Sequence, residues 1–528
     1  RNSDSAVTNN LDLRPLWAAQ TIAVVGATER VGAIGRLPIE YLTKFGFEGF
    51  IAPVNPKGGT IFGLPAFQSM AEIPQHIELA LIMVPASSVR EAVRDCAAAG
   101  VDVAIVMSSG FGEVDPDGQV AQQELVDIAR AAGMRLVGPN CIGSVGGAHR
   151  VMATFSPVFS SESTPLPEGN IALVSQSGAL GFGALSLGLE RGVPIGIAIT
   201  TGNEADVTAT EVAAQLAQDP EVDAVVMYVE SLGNMDQLIR VAGSKPIAIL
   251  KAGRSVAGAA AAASHTGALA SPDKVVSAVL AQNRIARANN IDELLDIAAL
   301  FASETKIAGP AVGIVTTSGG SGILAVDALE SEGLALAELG TETVTALEEI
   351  VPSYGNATNP VDVTAAVMAE SGLFERCVNR LSTDPSVNAI VACFAVLVGK
   401  DVDRIAQALG AVRESTGLPV VAVRTGAAAL APEGAQVLKE AGIPVYPTPE
   451  RAVAALRALV TINSPERKDL APSTHPRIPV PQPGASEKYL KELLAHAGLP
   501  IPESFVVTSG WDAVGAVGVV GGRAVFKA

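Results

Sequence analysis

Aromatic residues make up only 4 % of the 528 residues, cysteines number four and histidines five. Cys96, Cys141, Cys377 and Cys393 lie far apart, and none belongs to a C-x-x-C pair. A disulfide framework would be sparse in a chain this long, and a reducing compartment is the natural reading. Positive charge is also short, with 36 Lys and Arg against 54 Asp and Glu and a formal charge of −18. A general binder of nucleic acid or of an anionic membrane is excluded, because both need a positive field. No apolar run approaches the roughly 20 residues that cross a bilayer, and the opening RNSDSAVTNN lacks the apolar stretch of a secretory leader. A cytoplasmic protein is expected. The chain opens on Arg1 rather than Met, as it would with its true start missing.

What is present is apolar and small. Apolar residues are 48 % of the chain and glycines number 52, which suits buried parallel sheets closely covered by helices. The length exceeds what one hydrophobic core holds, so several domains are expected. TIAVVGA, ELALIMVPA, VDVAIVMSSGFGE and MRLVGPNCIG are strand-like runs separated by helix-compatible stretches. This βαβ rhythm predicts a doubly wound α/β domain over 10–150. FSSESTPLPEGN reads as a boundary. A second α/β block is expected over 165–303 and a third over 308–463. The Pro- and charge-rich stretch 464–485 reads as a linker, and 486–528 as the opening of a domain that continues further.

IALVSQSGALG and VGIVTTSGGSG share a plan: an apolar strand, hydroxyl or amide residues, then a glycine opening a helix. Free N–H groups at such a helix start suit an anion, which marks Ser175, Gln176, Ser177 and Gly178, and Thr317, Ser318, Gly319 and Gly320, as candidate phosphate cradles. VVGATERVGAIG approximates a dinucleotide phosphate loop through Gly26, Gly32 and Gly35 but misses the strict G-x-G-x-x-G spacing. A phosphate site and an ordinary tight turn both remain open there. Lys57 in PVNPKGG stands where NAD-binding folds place an acid, so a phosphorylated ribose or diphosphate and a solvated lysine are its two readings. MVPASSV, SSGFGE and GPNCIG each end a predicted strand, and Asn140 could present its amide to a carbonyl. No histidine lies near Cys141 in sequence, so it reads as a packing residue rather than a nucleophile.

His265, in AAAASHTGALA, is flanked by Ser264, Thr266 and Gly267. A bland loop histidine is one reading. A nucleophile that accepts a phosphoryl group is the other, with Glu230, at the strand end MYVESLGN, as the carboxylate that orients the ring.

Taken together, GATERVGAIG, PVNPK, VPAS, GPNCIG, VSQSGALG, GNEAD, KAGRS, SHTGALA and TTSGGSG, in this order, resemble the signatures of the NDP-forming (ADP-forming) acyl-CoA synthetases, relatives of succinyl-CoA synthetase. The resemblance implies an α/β fold: a Rossmann-type CoA-binding domain, two flavodoxin-like ligase domains and the start of an ATP-grasp domain. It implies a reversible ligase that makes an acyl-CoA from a carboxylic acid, CoA and ATP, releasing ADP and phosphate through phosphohistidine and an acyl phosphate. His265 would carry the phosphoryl group, paired with Glu230 and cradled by the two helix starts. CoA would lie over Gly26, Ala27 and Thr28, with Lys57 on its phosphates, Val84, Pro85, Ala86, Ser108 and Ser109 along its arm, and Asn140 at the thioester. Lys527 resembles the first nucleotide-binding lysine of an ATP-grasp domain. Mg²⁺ would accompany ATP, with no ligands in this chain, and a homodimer is expected. The rival readings are a protein lysine acetyltransferase with a synthetase-like region and a regulatory CoA-binding protein. Retention of His265 and Glu230 counts against the first, and retention of both helix starts against the second.

Overall fold

Val-, Ile- and Ala-rich runs become strands buried on both faces, as parallel strands sandwiched by helices must be. The computed structural model describes residues 12–260, 272–304, 306–395, 397, 400–426, 432–465, 486–496, 498–502, 504–519 and 525. His265 and Lys527 lie outside the described residues.

In the first sheet Thr21–Val25 lies between Phe50–Val54 and Leu79–Ile82, with Val103–Val106 and Arg135–Val137 beyond, all parallel. Chain order reverses at Thr21–Val25, and open α/β sheets hold ligands at the carboxyl end of such a reversal. In the second sheet Ile171–Ser175 lies between Ile195–Thr200 and Ala224–Val229, with Ile247–Lys251 and Ala286–Ala288 further out. This second reversal sets Gln176 beside Glu230. The third sheet centres on Ala311–Thr316, flanked by Ala335–Leu336, Val361–Asp362 and Ala389–Ala395, with Val420–Thr425 and Val445–Tyr446 beyond.

The division expected after residue 150 falls earlier in the sheets. Gly143–Gly146 pairs antiparallel with residues 197–199, and Val151–Thr154 pairs with Gly143–Gly146. Both strands therefore belong to the second sheet. They are four residues each, and the Ser- and Pro-rich stretch after them is the stronger local punctuation.

Residues 201–207 stitch the first two sheets together. The N–H groups of Asn203, Ala205 and Val207 donate to the carbonyls of Pro139, Gly138 and Leu136. Asp206, 7 % exposed, accepts from Arg130 at 2.7 Å, Arg135 at 3.0 Å and the Leu136 N–H at 2.9 Å. Burial alone would raise this carboxyl, but the bonds from Arg135 and Leu136 outweigh it and hold it below the usual aspartate range. Asp206 and Arg135 are both largely buried, and removing one partner of such a pair costs about 3–5 kcal/mol.

A parallel clasp joins the second and third sheets. Helix Ile291–Phe301 packs on helix Pro449–Ile462; Arg451 bonds both oxygens of Asp296 at 2.6 Å, and Arg457 reaches Glu293 at 2.8 Å and Glu332 at 2.6 Å.

Residues up to 464 form one unit and those from 465 a second. The second unit contains helices Glu487–His496 and Gly510–Val519, neither of which buries a residue. That suits a segment without a core of its own. Among the described residues no helix is long and apolar enough to cross a membrane.

Candidate active site

A cleft of about 1250 Å³ runs between the two strand-order reversals. Gly26, Thr28, Val84, Pro85, Ala86, Ser108 and Ser109 line it from the first sheet, and Gln176, Ser177, Gly178 and Glu230 from the second. Asn140 stands where the two meet.

At the first end the glycines are required by geometry. Gly26 has φ +93° and a Cβ there would lie 2.7 Å from the Met83 carbonyl oxygen. A Cβ on Gly35 would lie 2.2 Å from the carbonyl oxygen of Gly26, so the chain entering the helix Leu37–Lys44 presses directly on the loop. Between them Thr28, Arg30 and Gly32 line the cleft. Ser108 Oγ donates to the Val84 carbonyl at 2.5 Å, tying two of the lining strand ends together.

The second end is a helix mouth. Ser177 caps helix Gly178–Arg191, accepting from the Leu180 N–H at 3.4 Å. The earliest N–H groups of a helix have no partner within it, and Gly178 and Ala179 line the cleft. Gln176 fastens this mouth to Glu230. Its Oε1 accepts from the N–H groups of Glu230 at 2.6 Å and Ser231 at 3.0 Å, and its Nε2 donates to the Ser231 carbonyl at 2.8 Å.

Other candidates lie elsewhere. Ala27 is buried, its N–H donating to Val54 O at 3.2 Å. Lys57 is exposed on the loop after Phe50–Val54, its N–H turned to Asn55 Oδ1 at 2.9 Å, and it does not line the cleft. Ser175 is buried, and its hydroxyl donates to the Ser177 carbonyl at 2.7 Å as an internal brace. Thr316 braces Ser318 identically at 2.7 Å, so the sequence echo is a structural echo. Yet Thr317, Ser318, Gly319 and Gly320 do not line this cleft; they open helix Gly319–Ser331 at the reversal of the third sheet, where a Cβ on Gly319 would lie 3.1 Å from Asp362 Oδ2.

Sequence reasoning passed over Glu113, Gln122, Asn203 and Glu204, which line the cleft too. SSGFGE, read as a strand end, holds Glu113, and GNEAD, read as a family signature, holds Asn203 and Glu204, but neither string gave these residues a role, and no string marked Gln122. Asn140, at φ +60° after a cis Gly138–Pro139 bond, donates to Asn203 Oδ1 at 3.3 Å. Asn203 in turn donates to Glu113 at 2.5 Å and Gln122 at 2.9 Å. Burial works to raise Glu113, but the Gly110 N–H and Asn203 outweigh it and hold its carboxyl below the usual range. Glu204 shifts the other way. Its burial, with Glu230's charge adding to it, outweighs the bonds from Thr201, Ala209 and Gln176. Cys141, although it touches the cleft, is 2 % exposed and burial pushes its thiol up to about 12, so it packs rather than attacks. Among the described residues no group of three or more His, Cys, Asp or Glu could hold a metal ion.

Three family descriptions match in succession: a CoA binding domain over 20–147, a succinyl-CoA ligase like flavodoxin domain over 168–301 and a ligase-CoA domain over 312–463. The chain is 35 % identical to the alpha subunit of ADP-forming acetate–CoA ligase I of Pyrococcus furiosus, over 85 % of this chain and 97 % of that subunit. The chain belongs to the ADP-forming acid–CoA ligases. Within the family it is 34 % identical to acetate–CoA ligase I of Archaeoglobus fulgidus over 84 % of this chain, but spans 63 % of that protein's length. Among solved family structures, acetyl-coenzyme A synthetase 1 of Ca. Korarchaeum cryptofilum, in complex with phosphate and ADP, superposes with a TM-score of 0.77. It covers 85 % of this chain and 97 % of its own, at 29 % identity. The cleft thus lies between the CoA-binding and ligase-like domains of the family.

Proposed function

We propose that this chain carries the CoA and phosphoryl half of a reversible acyl-CoA synthetase, and that the cleft between the first two sheets is where thioester and phosphoryl chemistry meet. One observation carries this reading: a glycine loop suited to a diphosphate and a helix mouth suited to a phosphoryl group line the same cavity.

In the synthetic direction an ATP-grasp domain, of which 486–528 is the opening and Lys527 a nucleotide contact, passes the γ-phosphoryl group of ATP to His265. Glu230 orients the imidazole and balances its charge. The helix mouth at Ser177 and Gly178 holds the phosphoryl group. A carboxylate oxygen attacks phosphorus and the P–N bond breaks, leaving acyl phosphate and free His265. The CoA sulfur, beside Asn140, then attacks the acyl carbon; the C–O bond to phosphate breaks, and the thiol proton leaves with the phosphate. Each group transferred is of similar energy to the next, so the sequence runs both ways.

The acid's tail is assigned to Ile142, the apolar lining residue beside Gly178, and to Phe155, a lining residue whose N–H donates to the Ile142 carbonyl at 3.4 Å. A Cβ on Gly178 would lie 2.6 Å from Ile142 Cγ1, and Ile142 is anchored by its N–H to Thr200 at 3.1 Å and its carbonyl to Thr154 at 2.8 Å. Among the described lining residues the acids are Glu113, Glu204 and Glu230 and the one cation is Arg30. A monocarboxylic acid fits this field better than a dicarboxylic one.

The reverse half-reaction tests the proposal without nucleotide. Acetyl-CoA and radiolabelled phosphate are expected to leave an acid-labile, alkali-stable label on the chain, lost in His265→Ala and kept in Cys141→Ala. Labelling that survives His265→Ala would overturn it, as would no labelling of the unaltered chain.

A further inference from the structure

The loop that stitches the first two sheets together brings a carboxylate, Glu204, into the cleft wall. Glu204 sits at φ +54°, a backbone region that few side-chain-bearing residues adopt. Its Oε1 accepts from the Thr201 hydroxyl at 2.8 Å and the Ala209 N–H at 2.7 Å, and its Oε2 accepts from Gln176 Nε2 at 2.8 Å. That Gln176 is the residue that grips the chain at Glu230 and Ser231.

A carboxamide donates only from nitrogen and accepts only at oxygen. Around Gln176 the partners sort to match: two backbone N–H groups face its oxygen, while the Ser231 carbonyl and the Glu204 carboxylate face its nitrogen. Only one orientation of the amide satisfies all four. The Ser231 hydroxyl accepts from the same nitrogen at 3.4 Å, so Glu204, at 2.8 Å, is the shorter of its two side-chain partners; the remainder are backbone groups.

We propose that Glu204 is a positioning residue for Glu230, acting through Gln176 to hold the strand end that presents the Glu230 carboxylate to the phosphoryl site. In this role Glu204 acts through Gln176 rather than on the reacting atoms. The inference rests on the role given above to Glu230 and goes beyond it. Replacing Glu204 by Gln keeps size and shape but adds an N–H₂ end. That end must face either the Gln176 nitrogen or the donors from Thr201 and Ala209, so one donor always meets another and the grip on Glu230 loosens.

A double-mutant cycle separates positioning from a general loss of structure. The measured quantity is the rate at which acetyl-CoA and labelled phosphate mark His265 in the full chain. In the unaltered background E204Q is expected to slow marking about tenfold, with the KM for acetyl-CoA changed less than about twofold. In an E230Q background E204Q is expected to add nothing, because the group it positions has already been neutralised. Gln176→Met, which removes both ends of the amide, is expected to behave like E204Q and serves in its place if E204Q does not fold. Full additivity of E204Q with E230Q overturns the positioning role, as does an unchanged rate in E204Q and Gln176→Met. If E230Q itself leaves the rate unchanged, it is the reading of Glu230 that fails.

Discussion

Glu230→Gln is expected to slow phosphoryl capture by His265 about a hundredfold, within the range of a lost charged partner in proton and charge handling. CoA affinity is expected to stay within about twofold, because the CoA loop is built on the other sheet. The substitution keeps shape and removes charge. Strand Ala224–Val229 ends immediately before Glu230, and Gln176 pins that end through two N–H bonds, so the side chain's origin stays put when its charge is removed. What is lost is the counter-charge to an imidazole that becomes cationic as it surrenders or accepts a phosphoryl group. Label capture resolved in time, with acetyl phosphate as donor, measures this step without CoA. An unchanged rate would remove Glu230 from the chemistry.

The second large effect belongs to the opposite end of the cleft. Gly35→Ala would put a methyl 2.2 Å from the carbonyl oxygen of Gly26. Both atoms belong to or adjoin the backbone, so no side chain can turn aside. Forced overpacking of this kind costs about 1–3 kcal/mol, and relief by opening the loop would weaken CoA binding roughly 10–100-fold. Calorimetric titration with CoA measures that loss. Acetyl phosphate should still label His265 at close to the unaltered rate, since the helix mouth at Gly178 lies on the other sheet. Loss of both activities together would mean that the loop supports the whole cleft rather than the CoA end.

Much of this architecture is local and was therefore legible in the sequence. A strand of Val, Ile and Ala followed by a small polar residue and glycine specifies a parallel strand and a helix start whatever its surroundings. The fold class and the strand ends at Gly26 and Gln176 follow from that pattern, whereas the family resemblance rests on nine motif strings taken in order. Assignment of a motif to a particular cleft is not local. Residues 175–178 and 317–320 read alike and are built alike, but only the first borders the cleft, because the two open from different sheets. Lys57 has two readings from its residues, a phosphate ligand and a solvated lysine, and only the family resemblance sets it on the CoA phosphates; it is exposed and off the cleft lining. Glu204 was invisible for the converse reason. Its importance comes from Gln176, which reaches it across the sheet from another strand end. The strands Gly143–Gly146 and Val151–Thr154 joined the second sheet through antiparallel pairing, which alternation of strands and helices does not foretell.

The central claim is that CoA and the phosphoryl group share one cleft, with the sulfur arriving at the helix mouth. Diffraction from crystals of this chain grown with CoA and phosphate tests it most directly. The account predicts the CoA diphosphate over the loop from Gly26 to Gly35, the sulfur beside Asn140, and phosphate against the N–H groups of Gly178 and Ala179. CoA bound with its sulfur directed away from Gly178, or phosphate held outside this cleft, would contradict it.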